Sequence, residues 1–382
     1  MKYASKLKKS DIRGKRFLVR VDLNIKNSDE LFRLDAVIPT LSLLLKKETE
    51  KIIIVSHRGR PGSAKRTISK KMKEVSLEAF APLIAGKTGE AVDFISANRI
   101  TALVREVENS DARIVLVENI RLFSGEEAND PSFGRILASC ADAYVNDAFA
   151  SSHRAHASIS AITKFLPSYA GILLEREMTR LDAMLRNPRR PFVLVVGGAK
   201  ISDKLGIVRM FQNDADKILV GGAAANTCLV AQGFPVWRSL YEPKMVREAR
   251  KIQKKNVFLP VDAHVFEEAI LDIGPETARF FAEAIALAKT IVWSGPMGLS
   301  EKRGFEKGTR AIWSAILANK DAEVVVGGGE TIASAKLIPN FKSKISKRKN
   351  IFLSTGGGAM LDYLGGKKLP GIEALKKQKN RK

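Results

Sequence analysis

Short apolar runs recur along this chain of 382 residues, and segments with helical spacing lie between them. Each run is rich in Val and Ile and is bounded by Gly, Pro, Asn or a charged residue. Uninterrupted apolar runs of this length are typical of parallel strands that are buried on both faces. The runs are RFLVRV, KIIIVS, RIVLV and DAYVN in the first half, and PFVLVV, DKILVG, NVFLP, TIVWSG, EVVVGG and NIFLST in the second.

The two groups of runs predict an α/β fold with two doubly wound, Rossmann-like parallel sheets, one in each half. Between them, residues 170–191 carry apolar side chains at helical spacing and end in NPRRP, which predicts a hinge helix that joins two domains. We expect an N-terminal domain over residues 1–172 and a C-terminal domain over 173–364 that begins with this helix. We also expect the tail, residues 365–382, to pack back on the first domain.

Composition narrows the class of protein. Hydrophobic residues make up 45% of the chain, which is typical of soluble globular proteins. No run approaches ~18 consecutive apolar residues, and the first residues lack the apolar core of a signal peptide, so we expect a cytoplasmic protein. Cys140 and Cys228 lie far apart, with neither a C-x-x-C spacing nor a histidine pair nearby, and are interpreted as buried, reduced thiols.

The charge of the chain raises a nucleic-acid hypothesis. Lys and Arg number 64 against 41 Asp and Glu, which gives a formal net charge of +23. Residues 341–382 alone hold 12 Lys and Arg against Asp362 and Glu373, and the terminal KKQKNRK is interpreted as a solvated tail. The remaining positive charge suits a small anionic substrate as well as a nucleic acid.

Polar and basic residues follow every apolar run of the first half. They are Arg20, Asp22 and Asn24 after the first run, His57, Arg58 and Arg60 after the second, Glu118, Asn119 and Arg121 after the third, and Asn146, Asp147, His153, Arg154 and His156 after the fourth. Each alone is compatible with a solvated loop charge or a helix cap. Ligands of open α/β sheets bind beyond the carboxyl ends of the strands, so these residues converge on one face.

Because the planar guanidinium of arginine suits carboxylate and phosphate oxygens, the expected ligand of this face is a small polyanion. Zinc is the competing use of clustered histidines. It is disfavoured because His153 and His156 have arginine, rather than carboxylate or thiolate, as their neighbour.

Glycine turns follow the apolar runs of the second half. They are GGAK at 197–200, GGAAAN at 221–226, SGPMG at 294–298, GGGET at 327–331 and STGGGA at 354–359. Glycine also serves tight turns and close helix packing, but five such turns indicate that backbone N–H groups approach phosphate oxygens, as in a nucleotide site. The first turn, in PFVLVVGGAKISDKLG, is not a Walker A loop, G-x-x-x-x-G-K-[ST]. Its glycines are not separated by four residues, and its lysine is not followed by Ser or Thr.

A polyanion domain joined to a nucleotide domain by one helix suggests phosphoryl transfer on domain closure, which would exclude water as a competing acceptor. The chain resembles the phosphoglycerate kinases over essentially its whole length. The motifs that carry the resemblance occur in the family's order: RVDLN, RLDAVIPT, SHRGRP, ENIRLFSGEE, YVNDAFASSHRAH, GGAKISDK, DIGPET, GPMG, GGGET and STGGGA.

This resemblance implies reversible phosphoryl transfer from 1,3-bisphosphoglycerate to ADP, giving 3-phosphoglycerate and MgATP, a step of glycolysis and gluconeogenesis. It also implies a set of site residues. Phosphoglycerate would be bound by Arg20, Asp22, Asn24, Arg33, His57, Arg58, Gly59, Arg60, Arg121, His153, Arg154 and His156. The nucleotide would be bound by Gly198, Lys200, Lys204, Gly222, Asn226, Pro296, Glu301, Gly327, Gly328, Gly329, Glu330 and Thr331.

The resemblance assigns the catalytic roles as well. Arg33 and Lys200 would meet the transferring phosphoryl group from the two domains, and Gly357 and Gly358 open a helix that would point at it. Glu330 would take the Mg²⁺ position together with the nucleotide. Catalysis by positioning and positive charge needs no general base when the acceptor is a carboxylate.

Some positions depart from the family's usual pattern. Glu330 stands where Asp is usual, Ser294 where Asn is usual, and Ala223 where a third glycine is common. The loop between Asn24 and Arg33 is also short. These departures bear on metal geometry and nucleotide preference, whereas the phosphoglycerate side is nearly intact.

Two other functions are weighed against this interpretation. A basic nucleic-acid-binding protein that retains the kinase fold would explain the +23 charge, but it has no need for Arg33, Lys200 and Lys204 together. A nicotinamide-dependent oxidoreductase would need G-x-G-x-x-G after the first strand, where the chain has RVDLNI. We therefore expect a monomer that binds small-molecule substrates and Mg²⁺, with neither a membrane nor a nucleic acid as partner.

Overall fold

The computed structural model describes residues 1–25, 31–61, 74–97 and 99–377. Its contacts divide the chain into two units. Unit 1 comprises Met1–Met178 and the C-terminal segment from Lys368, and unit 2 comprises Thr179–Lys367. Each unit is built on a six-stranded parallel sheet flanked by helices, so the predicted fold class is confirmed.

The sheet of unit 1 has the strand order β3-β4-β2-β1-β5-β6, and all its neighbouring strands are parallel. Its strands are β1 (Arg16–Arg20), β2 (Lys51–Val55), β3 (Val92–Ile95), β4 (Ile114–Val117), β5 (Ala143–Asn146) and β6 (Ser168–Ala170). The four predicted runs form the four inner strands, β4, β2, β1 and β5. The two edge strands lie outside the predicted runs, because they are short and include half-buried or exposed positions.

The sheet of unit 2 has the order β14-β13-β12-β7-β8-β9, again with parallel neighbours. The strands are β7 (Phe192–Val196), β8 (Lys217–Val220), β9 (Val257–Phe258), β10 (Ala263–Phe266), β11 (Ala269–Ile273), β12 (Thr290–Ser294), β13 (Glu323–Gly327) and β14 (Ile351–Leu353). Strands β10 and β11 form a separate antiparallel hairpin that the apolar runs do not predict, because β10 is mostly exposed.

The helices lie between the strands, as a doubly wound fold requires. They are α1 (Lys9–Ile12), α2 (Phe32–Lys46), α3 (Ala81–Thr88), α4 (Ile100–Asn109), α5 (Ser124–Glu127), α6 (Pro131–Ala138), α7 (Ile172–Arg186), α8 (Leu205–Phe211), α9 (Gly222–Gln232), α10 (Val246–Ile252), α11 (Pro275–Leu287), α12 (Lys307–Ala318), α13 (Gly329–Ala333), α14 (Phe341–Ser346), α15 (Gly358–Leu364) and α16 (Pro370–Lys377). Short 3-10 turns occur at Ala4–Lys6, Glu78–Phe80, Ile120–Leu122, Phe149–Ser151, Ala161–Lys164, Pro243–Met245 and Ser334–Leu337.

Helix α7 lies in the segment expected to connect the domains, and the division between the units falls inside it. Helix α16 packs on unit 1, where the N–H of Gly371 donates to the C=O of Ser152 at 2.9 Å. A Cβ on Gly371 would come within 2.8 Å of the Ile159 side chain, so this close approach requires glycine. Residues 378–382 of the predicted tail lie outside the described residues, as do residues 26–30 of the loop before α2.

Both cysteines are buried free thiols, as predicted. Burial raises the pKa of Cys140 and of Cys228 to about 12, so both stay protonated and unreactive at neutral pH. Among the helices that the structure describes, none combines the length and the apolar character needed to cross a bilayer.

Candidate active site

Strand register brings the basic residues of unit 1 together. Arg20, the last residue of β1, is paired with Val55 on one side and with Asn146 on the other. The residues that follow these three strands therefore share one sheet edge, next to the point where the strand order reverses. The contact between Arg20 and His57 results from this register, with Nη2 of Arg20 lying 3.1 Å from Nδ1 of His57.

The sheet edge carries an arginine–histidine cluster, which we define as Arg20, His57, Arg121, Arg154 and His156. Burial, followed by the charges of Arg20 and Arg121, holds the pKa of His57 well below its usual value. Burial and then the same two arginines lower the pKa of His156 to about 4. The pKa of Arg121 falls to about 10, first through burial and then through Arg154 and Arg20. The cluster thus holds neutral imidazoles among charged guanidinium groups.

A second network holds Arg33, which lies in the first turn of α2. Nη1 of Arg33 donates to Oδ2 of Asp22 at 2.7 Å. The other carboxylate oxygen of Asp22 accepts the N–H of Asn24 at 3.0 Å, and Oδ1 of Asn24 accepts the N–H of Gly59 at 2.8 Å. These predicted site residues are therefore connected by direct hydrogen bonds, and the Arg33 guanidinium is oriented by a carboxylate.

The remaining predicted residues of unit 1 differ in their surroundings. Arg58 donates to the C=O groups of Ile25 and Ser76, which ties its guanidinium to loop backbone, whereas Arg60 is exposed. The C=O of Gly59 accepts from Nη1 of Arg121 at 2.9 Å. His153 accepts from Nε of Arg154 at 3.0 Å. The binding roles of all these residues stay predictions.

In unit 2, strand register aligns the glycine turns. Ser294 of β12 is paired with Val196 of β7 and with Gly327 of β13. The N–H of Gly198 donates to the C=O of Pro296, and the N–H of Gly222 donates to that of Met297, both at 2.8 Å. These two N–H groups, expected to face phosphate, are thus used inside the protein. Their turns pack so closely that a Cβ on Gly222 would come within 2.8 Å of backbone.

Other glycines face open space instead. A Cβ added to Gly329, Gly357 or Gly358 would meet no atom within 4 Å. Gly328 and Gly357 have φ values of 98° and 51°, which favour glycine. These positions begin helices α13 and α15 and leave room for a ligand to approach the backbone.

A cavity of about 940 Å³ lies within unit 2. Its lining combines glycine turns and carboxylates with apolar side chains, among them Gly198, Gly222, Asn226, Pro296, Glu301 and Glu330 together with Phe234, Trp237, Leu240, Val261 and Val265. Nδ2 of the buried Asn226 donates to the C=O of Leu240 and so supports this wall. The combination suits an elongated ligand with an apolar end and a polar end.

Comparison with known proteins decides between the functions considered above. Residues 7–367 match the family model for phosphoglycerate kinase. The phosphoglycerate kinase of Trichodesmium erythraeum is 38% identical, with 99% of each chain covered, and that of Pelotomaculum thermopropionicum is 39% identical over 96% of this chain and 97% of the relative. The chain belongs to the phosphoglycerate kinase family.

Solved structures agree with this assignment. The phosphoglycerate kinase of Coxiella burnetii is 31% identical, with a TM-score of 0.79 and 98% of each chain covered. That of Pyrococcus horikoshii is 27% identical, with a TM-score of 0.84 and 99% of each chain covered. The predicted enzyme class, a phosphotransferase with a carboxyl group as acceptor, is thereby confirmed. These comparisons give no support to the nucleic-acid-binding alternative.

The predicted nucleotide residues of this phosphoglycerate kinase family member have distinct surroundings. Lys200 is exposed. Burial lowers the pKa of Lys204, and the nearby carboxylates of Asp203 and Glu330 oppose that shift. Oγ1 of the buried Thr331 accepts the N–H of Gly295 at 2.7 Å and so helps to shape a glycine turn.

Magnesium fits this arrangement through one carboxylate. The described part of the chain holds no group of three or more His, Cys, Asp and Glu side chains placed to bind a metal. Mg²⁺ in nucleotide sites commonly takes one or two protein carboxylates and completes its shell with phosphates and water. Exposed Glu330, in the first turn of α13 and in the cavity lining, is suited to be that carboxylate.

The structure adds residues that the sequence patterns did not single out. Glu126 is fully buried beside the arginine–histidine cluster and accepts from both the N–H and the hydroxyl of Ser158. Trp237 lines the cavity with 62% of its surface exposed and has a φ of 47°, which is uncommon for a residue other than glycine. The sequence around Glu126 does not mark it as a site residue, because an acidic residue in the first turn of a helix is ordinarily explained by its favourable interaction with the helix dipole.

Proposed function

We propose that unit 1 binds 3-phosphoglycerate or 1,3-bisphosphoglycerate and that unit 2 binds ADP or ATP. In the forward direction, a β-phosphate oxygen of ADP attacks the phosphorus of the acyl phosphate. The bond from phosphorus to the carboxyl oxygen breaks, and its electron pair stays on the carboxylate of 3-phosphoglycerate. The observation that carries the proposal is the convergence of Arg20, Arg121 and Arg154 on His57 and His156, with Nη2 of Arg20 lying 3.1 Å from Nδ1 of His57.

The charge of this cluster suits phosphoglycerate, which carries a carboxylate and a phosphate. Guanidinium groups bind both anions through paired hydrogen bonds. The neutral imidazoles of His57 and His156 add hydrogen-bonding groups without the further desolvation cost of two more positive charges. Asp22 orients Arg33, and Asn24 orients the backbone of Gly59, so the edge of the site is organised before the ligand arrives.

For the nucleotide, we assign the apolar part of the cavity to the base and Glu301 and Lys204 to polar contacts with the rest of the molecule. The open backbone at Gly329, Gly357 and Gly358 supports phosphate binding there. Glu330 would hold Mg²⁺, which in this chemistry neutralises charge on the phosphate oxygens. The N–H groups of Gly198 and Gly222 donate to carbonyl groups within the protein, so we assign these two glycines a role in shaping the cavity.

We assign to Arg33 and Lys200 the neutralisation of the three oxygens of the transferring group, where positive charge lowers the barrier most. Direct transfer requires the two substrates to come within bonding distance. The proposal therefore includes closure of the two units, which would also exclude water from the reacting group. We further propose that the enzyme is a monomer, since one chain supplies both sets of residues, and that it acts in the cytoplasm on cytoplasmic metabolites.

A coupled assay tests this function. We expect ATP formation from 1,3-bisphosphoglycerate and ADP in the presence of Mg²⁺, and we expect Lys200→Ala to lower kcat by roughly 10³-fold without loss of structure. Lys254→Ala serves as the matched control. It should retain full activity, because the Lys254 side chain is exposed and donates to Oδ1 of Asn213. Failure of the folded wild-type protein to form ATP would reject the proposal.

A further inference from the structure

Glu126 is a buried carboxylate with an unusual set of partners. It has no exposed surface, and it accepts the N–H of Ser158 at 2.8 Å and the Ser158 hydroxyl at 2.6 Å. Nδ1 of His156 lies 3.7 Å from Oε1, which is too far for a hydrogen bond. Burying a carboxylate is costly unless it is well hydrogen-bonded and compensated by positive charge. Glu126 meets both conditions beside the arginine–histidine cluster, which places it to act on that cluster.

The hydroxyl of Ser158 links Glu126 to Arg20. Nε of Arg20 lies 2.9 Å from Oγ of Ser158. Arginine can only donate hydrogen bonds, and a hydroxyl has one proton to give. Ser158 therefore accepts from Arg20 and gives its own proton to Glu126. The directions of both hydrogen bonds follow from the chemistry of the three groups.

Arg20, oriented by Ser158, in turn contacts His57. Its Nη2 lies 3.1 Å from Nδ1 of His57, and because arginine has no acceptor, Nδ1 must accept. Burial and the surrounding charges of Arg20, Arg121, His156 and Arg154 favour the neutral imidazole. A neutral imidazole whose Nδ1 accepts carries its proton on Nε2, which leaves Nε2–H as its only ring N–H donor.

We propose that Glu126 is a positioning residue for phosphoglycerate binding. Acting through Ser158 and Arg20, it fixes His57 in the Nε2–H tautomer, so that the imidazole presents a donor to the anionic ligand. The inference rests on the proposed phosphoglycerate site of unit 1, and it assigns a task to a residue that does not itself contact the ligand.

A merely structural role is the competing explanation. Glu126 also anchors the loop through its backbone, where its C=O accepts the N–H of Ala157 at 2.9 Å, and the Tyr144 hydroxyl holds the C=O of Ser158 at 2.6 Å. A structural role would be visible as lost stability, but it would leave the tautomer of His57 unchanged. The tautomer is therefore the decisive readout.

Glu126→Gln is the sharpest variant. An amide retains the shape of the side chain but has one acceptor and one donor group. If its oxygen faces the Ser158 N–H, the hydroxyl proton loses its acceptor, and if it faces the hydroxyl, two N–H donors oppose each other. Ser158→Ala removes the hydroxyl and keeps the backbone contact with Glu126. Glu106→Gln removes an exposed carboxylate of α4 and serves as the charge-matched control.

The experiment is two-bond ¹H–¹⁵N NMR of the histidine rings in the full chain at pH 7.5, with His57 assigned by its loss in His57→Asn. We expect the Nε2–H tautomer in the wild type and in Glu106→Gln. In Glu126→Gln and Ser158→Ala, Arg20 is no longer held in place to donate to Nδ1, so we expect an appreciable Nδ1–H fraction. In the two relay variants, KM for 3-phosphoglycerate should rise about tenfold, with kcat and KM for ATP changed less than about twofold.

Two results would overturn the inference: an Nδ1–H tautomer in the wild type, or an unchanged tautomer in both relay variants. If Glu126→Gln does not fold, Ser158→Ala carries the test, because it leaves the buried carboxylate in place. Failure of the proposed site would be recognised separately, as an absence of spectral change when 3-phosphoglycerate is added to the wild type.

Discussion

Asp22 holds Arg33 through a hydrogen bond of 2.7 Å from Nη1 to Oδ2, and the two side chains are only 5% and 13% exposed, respectively. A nearly buried ion pair of this kind orients the guanidinium but leaves its other N–H groups to be satisfied elsewhere. The pair joins the end of β1 to the first turn of α2, so the position of Arg33 depends on the sheet and not on a mobile side chain.

Removal of the Arg33 guanidinium should therefore impair the chemical step. We expect Arg33→Ala to lower kcat by roughly 10³-fold, because an arginine that neutralises a transferring phosphoryl group commonly contributes that much. Steady-state kinetics will check this, with circular dichroism as the test of folding. The control is Arg13→Ala, whose side chain is 72% exposed, and which should have wild-type kcat. An unchanged kcat in folded Arg33→Ala would exclude the assigned role.

Trp237 should report directly on nucleotide binding. The chain has three tryptophans. Trp293 and Trp313 are fully buried and meet edge to face with ring centroids 4.7 Å apart, whereas Trp237 is exposed in the cavity lining. We expect ADP to quench the fluorescence of the wild type and to protect it from acrylamide.

Variants of Trp237 measure the free energy of its contact with the nucleotide. Trp237→Phe should lose the fluorescence response yet bind ADP with about wild-type affinity, and Trp237→Ala should bind about three- to tenfold more weakly, as the loss of an aromatic contact predicts. Leu287→Ala, at a 72% exposed position outside the cavity, is the control. Full quenching in Trp237→Phe would place the base elsewhere.

Glu330 should govern the metal requirement. Its carboxylate is suited to Mg²⁺, so Glu330→Gln is expected to raise the Mg²⁺ concentration for half-maximal activity by about tenfold, with a smaller change in KM for 3-phosphoglycerate. Activity titrations with Mg²⁺ and Mn²⁺ measure this. Glu283→Gln, an exposed carboxylate of α11, should titrate like the wild type. Identical metal curves for Glu330→Gln and the wild type would remove Glu330 from the metal site.

His156 should make stability depend on pH. Burial, then Arg121 and Arg20, lower its pKa in the folded protein to about 4, below the ordinary value of 6.5. Between these values the unfolded chain binds more protons, so the contribution of His156 to stability is present above pH 6.5 and is lost as pH falls towards 4. His156→Gln should therefore lose less of its unfolding free energy than the wild type over this interval.

Urea unfolding followed at pH 7 and at pH 4.5 measures this difference. His264→Gln, in β10 of unit 2, is the matched histidine control and should follow the wild type. An equal loss in His156→Gln and the wild type would show that this imidazole is not protonated upon unfolding in that range.

The inner strands of both sheets could be predicted because a parallel strand buried on both faces needs an uninterrupted apolar run. All ten runs contain an observed strand. The edge strands β3 and β6 and the hairpin β10–β11 lack that constraint, since each has positions open to solvent. Their sequences therefore resemble those of loops.

The candidate site residues were likewise only partly predictable from the sequence. Polar residues after the inner strands were predictable as a site, because parallel strands place their carboxyl ends along one edge. Arg58 matched that pattern equally well, yet its guanidinium bonds the C=O groups of Ile25 and Ser76. Position after a strand indicates nearness to a site, whereas only packing determines what each side chain bonds to.

By itself, the sequence determined the fold class, the family and most of the candidate site residues, because apolar periodicity and the order of motifs are local properties of the chain. The tertiary structure alone decided which donor meets which acceptor. The N–H groups of Gly198 and Gly222 bond carbonyls of another turn, and Glu126 reaches Ser158, 32 residues away, which in turn reaches Arg20 across 138 residues. Hydrogen bonds over such separations depend on how strands are paired, and no short stretch of sequence specifies them.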